Sequence, residues 1–455
     1  MGTVGISFGS PTSGNGFDVS STVSQIVANL QAVETPWKTK LSSLESQDTV
    51  LSTLGTDLST LATDLENLTD FQGVLAGKEG SSSNTDVLAL TSASTTASAG
   101  THSVLVTQLA QTSAAASDVV ANASDTLSGS ITVQVGTGTA QTIDIDSSNP
   151  TLAGLAAAIN AAGIGVTASI ISDTSGSRLS LVSGTSGETG QLTVTSSLTD
   201  TSNSDASVGL STIVDGQNAE LTVDGISITS ASNTITTAIS GVTFQLLSKS
   251  DTAVQVVITN DTSSVESAIS TFVSDYNTLM KAVNAQEGND SSGNAEPLYG
   301  STVLAQIQEQ LLSAITGQEG SGSVTSLYQL GITPNTDGTL SLNTDTLDSI
   351  LNSNYTDVIS FFQDTGSFGA SFSDTLDNLG NDHTYGAIYL ALKENSSQES
   401  DLNDSISNED ALISTKESLL TTELTQANEI LQEIPSQIQY VDEIYSAITG
   451  YNAKS

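Results

Sequence analysis

The stretch "GFDVSSTVSQIVANLQAVETPW" (residues 16–37) decides the fold class, because it carries a narrow apolar stripe with heptad spacing. Its apolar side chains recur in alternating steps of four and three residues, which is typical of a helix face that packs against another helix. The members of this stripe are Val19, Val23, Ile26, Leu30 and Val33. No segment nearby in the sequence offers a matching stripe, so we expect the partner of this helix to come from elsewhere.

The heptad pattern continues well beyond this first helix. Stepping by seven from Val23 gives an apolar residue at the next six heptad positions, and the companion series has only two polar members. Both polar members follow Pro36, which has no N–H and whose ring clashes with the preceding helical turn. The sequence therefore predicts two helices, over about 19–34 and 38–70, with a hinge at Pro36.

The C-terminal region carries the same kind of stripe, from about residue 420 to residue 448. Pro435 lies within this stripe and predicts a second hinge. Because both chain ends carry heptad helices, we expect them to run together as a stalk and to form an apolar interface. The C-terminal members of this predicted interface are Leu424, Leu431, Ile434, Ile438, Val441, Tyr445 and Ile448.

The region between the two helical ends has the sequence pattern that is typical of β-structure. From about residue 77 to residue 260, short runs rich in β-branched residues alternate with Gly, Asn, Asp and Ser, and one short helical segment interrupts them at 151–163. The sequence therefore predicts an α+β multidomain fold, with an N- and C-terminal α-helical coiled-coil stalk and an inserted β-rich head of two domains.

The change in texture along the chain also predicts where the domains begin and end. The predicted parts are a terminal leg helix at 1–37 that pairs with 415–455, a helical stalk domain of 38–76 plus 262–414, a β-rich head domain of 77–114 plus 201–261, and an inserted β-rich head domain at 115–200.

The charge of the chain excludes several kinds of partner. Fifty acidic residues against nine basic ones give a formal net charge of −41. Binding to nucleic acid or to an anionic membrane needs clustered Lys and Arg, so neither is expected. No apolar run reaches the length of a membrane span, and no secretory signal peptide is visible at the N-terminus.

Residues that carry chemistry are sparse. The chain has no Cys, which excludes disulfides and thiolate metal sites, and it has two histidines, His102 and His383, each expected to be a surface or packing residue. Asp-Gly pairs such as those at 224–225 and 337–338 fit tight turns, and no EF-hand spacing is present. We therefore expect no catalytic residues, no cofactor and no metal.

Several stretches resemble the flagellar hook-associated protein 2 family, whose members cap bacterial flagellar filaments. They are "GFDVSSTVSQIVAN" (16–29), "AGTHSVLVTQLAQ" (99–111), "DGQNAELTVDGISITSASNTITTAISGVTFQLLS" (215–248), "SAISTFVSDYNTLM" (267–280) and "LGITPNTDGTLSLNTDTLDSIL" (330–351). A further stretch, residues 159–194, is similar to a module shared by flagellin and hook proteins. These stretches follow the family's order over nearly the whole chain.

The resemblance implies a non-enzymatic cap at the distal tip of the filament, which helps exported flagellin fold and insert and prevents its loss. It also implies a ring-shaped homo-oligomer, described as a pentamer in many members and with other stoichiometries in some. The implied partners are flagellin, the hook-associated junction proteins, and an export chaperone at the C-terminal helix. The implied location is extracellular, at the flagellum tip, after flagellar type III export without a cleaved signal peptide.

Two other functions remain open from the sequence. An exposed β head on a stalk would also suit a surface adhesin that binds glycans, and the stalk alone would suit another hook-associated axial protein. The stretch "NAELTVDGISIT" (218–229) argues against the axial alternative, because it belongs to the resemblance to the cap family.

Overall fold

The computed structural model describes residues 15–320, 322–380 and 382–450, and the chain divides into two compact units. The helical unit combines the residues up to Thr69 with those from Ala268 onward, whereas the β unit is the continuous segment Asp70–Ser267. The predicted fold class, with helices at both chain ends and a β-rich insertion between them, is confirmed.

The helices of the described residues lie mainly outside the β unit. In chain order they are α1 (Val19–Gln31), α2 (Thr35–Thr69), α3 (Leu152–Ala161), α4 (Thr262–Ala285), α5 (Thr302–Thr316), α6 (Thr344–Ser353), α7 (Tyr355–Gln363), α8 (Phe368–Leu379) and α9 (Ala387–Thr449). Short 3₁₀ turns lie at Val74–Ala76, Glu188–Gly190 and Leu327–Leu330.

The strands lie almost entirely in the β unit. In chain order they are β1 (Lys78–Ser82), β2 (Leu88–Ala93), β3 (Gly100–Gln108), β4 (Thr112–Ser117), β5 (Leu127–Ser128), β6 (Ser130–Val135), β7 (Gln141–Asp144), β8 (Val166–Asp173), β9 (Gly176–Ser186), β10 (Leu192–Ser196), β11 (Leu198–Asp200), β12 (Ala206–Val208), β13 (Leu210–Val214), β14 (Ala219–Val223), β15 (Ile226–Ser230), β16 (Thr234–Ile239), β17 (Val242–Leu246), β18 (Val254–Asn260), β19 (Ile332–Pro334) and β20 (Leu340–Leu342).

The N-terminal heptad region forms two helices with a short turn between them. The Asp18 side chain caps α1 by accepting a hydrogen bond from the Ser21 N–H at 3.0 Å. The predicted interruption is present, but α2 begins at Thr35, so Pro36 lies in its first turn. Proline fits there because the first N–H groups of a helix have no partner within the helix. A hinge motion at Pro36 stays a prediction.

The apolar stripe of α2 belongs to the core of the helical unit. The packing partners of α2 include α7, α8 and α9. Burial of this stripe explains why α2 reaches 35 residues despite its many Ser and Thr. The side chains in it are at most 2% exposed, and they are Leu44, Leu51, Leu54, Leu58, Leu61, Leu65 and Leu68.

An aromatic cluster fills another part of this core, where α4, α7 and α8 contribute phenylalanines. The rings of Phe372 and Phe272 meet edge to face with centroids 5.6 Å apart, and Phe372 stacks on Phe368 at 5.2 Å. Phe361 and Phe362 complete the cluster. Aromatic pairs at these separations contribute beyond the burial of their area.

The β unit contains two separate clusters of buried apolar residues. One lies in the five-stranded antiparallel sheet β1-β18-β3-β14-β15 and the three-stranded sheet β16-β17-β2. The other takes residues from between positions 115 and 208, including those of α3 and of the sheet β13-β4-β9-β8. The division into a proximal and an inserted β domain, like the other predicted boundaries, stays a proposal that these two clusters support.

Two carboxyl groups meet inside the helical unit. Asp64 of α2 shares a hydrogen bond with Asp275 of α4, and the Oδ2 atom of Asp64 is enclosed without a hydrogen-bond partner among the described residues. Burial, followed by this hydrogen bond and the Asp275 charge, raises the pKa of Asp64 to about 6. Burial and the same Asp275 charge also raise the pKa of Asp57. The ionised form of Asp64 is therefore unfavourable in the folded protein.

We expect Asp64→Asn to stabilise the helical unit at pH 8 by about 1–2 kcal/mol, after allowance for the partial exposure of the carboxyl. The pKa of about 6 in the folded protein lies above the ordinary aspartate value of 3.8. The contribution of Asp64 to the free energy of unfolding is therefore fully present below the unfolded pKa of 3.8, and it is lost as the pH rises through the folded pKa of about 6. Urea unfolding at pH 4 and at pH 8 measures the difference, which should be small at pH 4.

The control for this variant is Glu66→Gln, since Glu66 is exposed on the same helix. The control removes one negative charge in the same way but should give no comparable gain at pH 8. A loss of stability in Asp64→Asn at pH 8, or an equal gain at both pH values, would contradict the account.

Candidate interface on the terminal helices

The last helix runs antiparallel to the first two. Near the start of the described chain, the Phe17 N–H donates to Asn428 Oδ1 at 2.7 Å. Further along, Asn395 Nδ2 donates to Asp48 Oδ1, also at 2.7 Å. Residue numbers thus rise along α1 and α2 while they fall along α9, and α9 packs against both helices.

Gly16 allows the close approach at the start of this pairing. Its φ is +60°, a conformation that L side chains rarely adopt, and a Cβ at this position would collide with the side chain of Asn428. The same backbone brings the Phe17 N–H onto the Asn428 oxygen. A glycine here therefore fixes which part of α9 faces the start of α1.

The predicted N-terminal half of the interface is only partly covered. Val23 is 4% exposed, whereas Val33 in the turn after α1 is 53% exposed. Val19, Ile26 and Leu30 are half-buried. Because α9 packs against α1, the apolar stripe of α1 has a partner within the chain, and part of its surface remains accessible.

The predicted C-terminal half divides into a covered and an uncovered part. Leu424, Leu431 and Ile434 are half-buried. By contrast, residues 436–445 are all exposed. Asn428 lies beside Phe17, just before α1 begins, and α9 is antiparallel to α1. Residues 436–445 of α9 therefore lie beyond the start of α1. The structure therefore leaves Ile438, Val441, Tyr445 and Ile448 of the predicted set uncovered.

The last part of α9, residues 436–449, is called the distal segment here. Its large apolar side chains are between 43% and 78% exposed, and they are Ile438, Tyr440, Val441, Ile444, Tyr445 and Ile448. Tyr440 and Ile444 were absent from the sequence-based set, because a template with two positions per heptad skips them. The density of large apolar residues after Pro435 is the signal that would have included them.

The predicted hinge at Pro435 is not a break in the helix. Helix α9 continues through this residue without interruption. Proline removes one N–H that would otherwise donate to the Leu431 carbonyl, and the helix tolerates that loss. A bend or a motion at Pro435 stays a prediction.

Neither histidine is among the predicted interface residues. His102 is in β3, and its Nδ1 lies 2.7 Å from Asp224 Oδ2, while Asp224 Oδ1 accepts from the Ser103 N–H at 2.8 Å. The Ser103 N–H foremost, and then His102, hold the pKa of Asp224 below its usual range. Asp224 has a φ of 51° in the β14–β15 turn, so the pair stabilises a strained turn. His383 stacks on Tyr385.

Two further observations concern the described part of the chain. It holds no group of three or more His, Asp and Glu side chains arranged to bind a metal ion. It also holds no helix with the length and apolar character needed to cross a membrane.

The fold and the interface together define a class of protein: an α+β chain whose helical unit is built from both ends and whose last helix carries uncovered apolar residues. Family models identify it more closely. The model for the Flagellar hook-associated protein 2 N-terminus matches residues 15–113, and the model for its C-terminus matches residues 216–436. The chain belongs to the flagellar hook-associated protein 2 family, and the resemblance found in the sequence is confirmed.

Individual relatives agree with this membership. The B-type flagellar hook-associated protein 2 of Pseudomonas aeruginosa is 31% identical over 358 residues, which are 72% of this chain and 75% of that protein. The flagellar hook-associated protein 2 of Escherichia coli K12 is 31% identical over 361 residues, covering 74% and 76%. The crystal structure of the D1-D2-D3 domains of the flagellar cap protein FliD from Escherichia coli matches with a TM-score of 0.57 and 28% identity, and covers 76% of this chain and 99% of that one.

Proposed function

We propose that this chain caps the distal tip of the bacterial flagellar filament. Its family membership and its similarity to the Escherichia coli protein described as a flagellar cap support this role. The observation that carries the proposal is the distal segment, whose apolar side chains are exposed on a helix that otherwise packs within the helical unit. Such a surface is typical of a protein that assembles with other chains.

The energetics favour a partner for the distal segment. Apolar surface contributes roughly 25 cal/mol for each Å² that is removed from water, so covering several large side chains yields several kcal/mol. The proposed partners are other copies of this chain in a ring, a pentamer or another stoichiometry, together with flagellin and the hook-associated junction proteins. An export chaperone would cover the same C-terminal helix before assembly.

The proposed mechanism is structural and involves no catalysis. In the assembled cap, the terminal helices contact the filament and the β unit retains each exported flagellin while it folds and inserts. The proposed location is the outer tip of the flagellum, reached through the flagellar type III route without a cleaved signal peptide. The net charge of −41 supports partners that are proteins rather than nucleic acids.

Deletion of the gene tests the proposal. We expect cells without the protein to lack filaments and to release flagellin into the medium, because nothing would retain the exported subunits. Electron microscopy and an immunoblot of the medium measure these outcomes. Normal filaments combined with lost attachment to surfaces would refute capping and would favour the adhesin alternative.

We expect Ile26→Asp or Leu30→Asp to impair capping while the β unit stays folded. Each substitution places a charge on the half-buried face of α1 that lies against α9, at a cost of about 1–3 kcal/mol. A swimming assay measures capping, and circular dichroism reports the β signal. Ser24→Asp, at an exposed position of the same helix, is the control and should swim normally. Loss of the β signal would contradict independent folding of the two units.

A further inference from the structure

A fully buried glutamate lies in the turn that joins α1 to α2. Glu34 is 0% exposed, and its Oε2 atom lies 2.7 Å from Nζ of Lys38. Its other carboxylate oxygen, Oε1, is enclosed without a hydrogen-bond partner in the described part of the chain. An ionised side chain in such surroundings raises the free energy of the state that encloses it, because the lost hydration is not replaced.

The two members of the ion pair differ sharply in their surroundings. The Lys38 side chain is 55% exposed, while the Glu34 side chain is inaccessible. The hydrogen bond that Lys38 donates to Glu34 is the main cause that raises the pKa of Lys38, and the charge of Asp410 of α9 adds to this effect. Lys38 is therefore the charge that compensates the buried carboxylate, and it lies within electrostatic reach of α9. Removing Glu34 leaves only a solvated lysine, whereas removing Lys38 leaves an uncompensated buried charge.

We propose that Glu34 is a positioning residue that favours release of α1 from α9. In the closed arrangement Oε1 has no donor among the residues that the structure describes, and opening of the turn returns both carboxylate oxygens to water. Lys38 opposes the release because its charge compensates the carboxylate while Glu34 is enclosed. The purpose of such a release, movement of the terminal helices as the filament grows, rests on the proposed function, but the release itself is a property of the isolated chain.

Hydrogen exchange of the α1 amides in the full-length protein tests the inference. We expect Glu34→Met to slow this exchange about tenfold, because the closed state no longer encloses an unpaired oxygen. We expect Lys38→Met to accelerate it about tenfold, since the buried carboxylate then has no counter-charge. Lys38→Arg keeps the charge and should exchange at nearly the wild-type rate. Glu66→Met, at an exposed position of α2, is the matched control.

The opposite signs of the two effects separate a releasing role from a purely stabilising one. If Glu34 only stabilised the turn, Glu34→Met and Lys38→Met would both accelerate exchange, and that result would overturn the inference. An unchanged rate in Glu34→Met would overturn it as well. Unchanged exchange of the α8 amides, which belong to the core of the same helical unit, shows that a variant is folded. Because exchange is measured on the isolated chain, its result is independent of the gene deletion that tests capping.

Discussion

Replacing Ile438 and Val441 together by aspartate is expected to abolish capping while both units stay folded. These side chains are 45% and 63% exposed, so the isolated chain loses little packing when they change. In an assembled cap each aspartate would have to be removed from water without a counter-charge, which costs several kcal/mol per group. Swimming should fall to the level of the gene-deletion strain, with flagellin released into the medium.

The matched control places the same two charges elsewhere on the same turns. Ser436 and Gln439 are exposed polar residues of the distal segment, and Ser436→Asp with Gln439→Asp should retain swimming. Circular dichroism should be unchanged in both double variants. Equal loss of swimming in the control would mean that charge alone disturbs the segment. Normal swimming in Ile438→Asp with Val441→Asp would refute the interface.

Phe372→Ala is expected to lower the free energy of unfolding of the helical unit by about 3–5 kcal/mol. Phe372 is 0% exposed and lies between Phe272 and Phe368 in the aromatic cluster. Its removal eliminates the burial of a large ring and leaves a cavity that the neighbouring rings fill only in part. Urea unfolding followed by hydrogen exchange measures the loss, because exchange reports the two units separately.

The control for the core variant is Tyr328→Ala, at an aromatic residue of the same unit that is 73% exposed. This control should change the free energy of unfolding by less than about 0.5 kcal/mol. The β-unit amides should exchange at wild-type rates in both variants. A loss below about 1 kcal/mol in Phe372→Ala would mean that the cluster contributes little to the unit.

The general architecture could be predicted from the sequence because its signals are local and repeated. The heptad leucines of α2 indicated a long helix, and alternating runs indicated the strands of the β unit. The rule that proline interrupts a helix correctly predicted the break near residue 36. The same rule predicted a break at Pro435, where the helix continues. A single proline removes one hydrogen bond, and a 63-residue helix retains enough of the others.

The candidate interface could be predicted only in part. Periodicity shows which face of a helix is apolar, but it does not show what covers that face. The contact between Phe17 and Asn428 sets the register, and that contact joins residues 411 positions apart. For the same reason the burial of Glu34 could not be predicted from the sequence, since its i, i+4 spacing from Lys38 is equally typical of an exposed pair.

The antiparallel pairing of α9 with α1 and α2 imposes an order on folding. The β unit is one uninterrupted segment, Asp70–Ser267, and all of its strands are available before α9 has emerged from any process that delivers the chain N-terminus first. The leucines of α2 must wait for a helix that begins at Ala387. Closing so long a loop costs entropy, and the apolar surface of α2 stays exposed to water until α9 packs against it. The helical unit therefore completes its folding after the β unit.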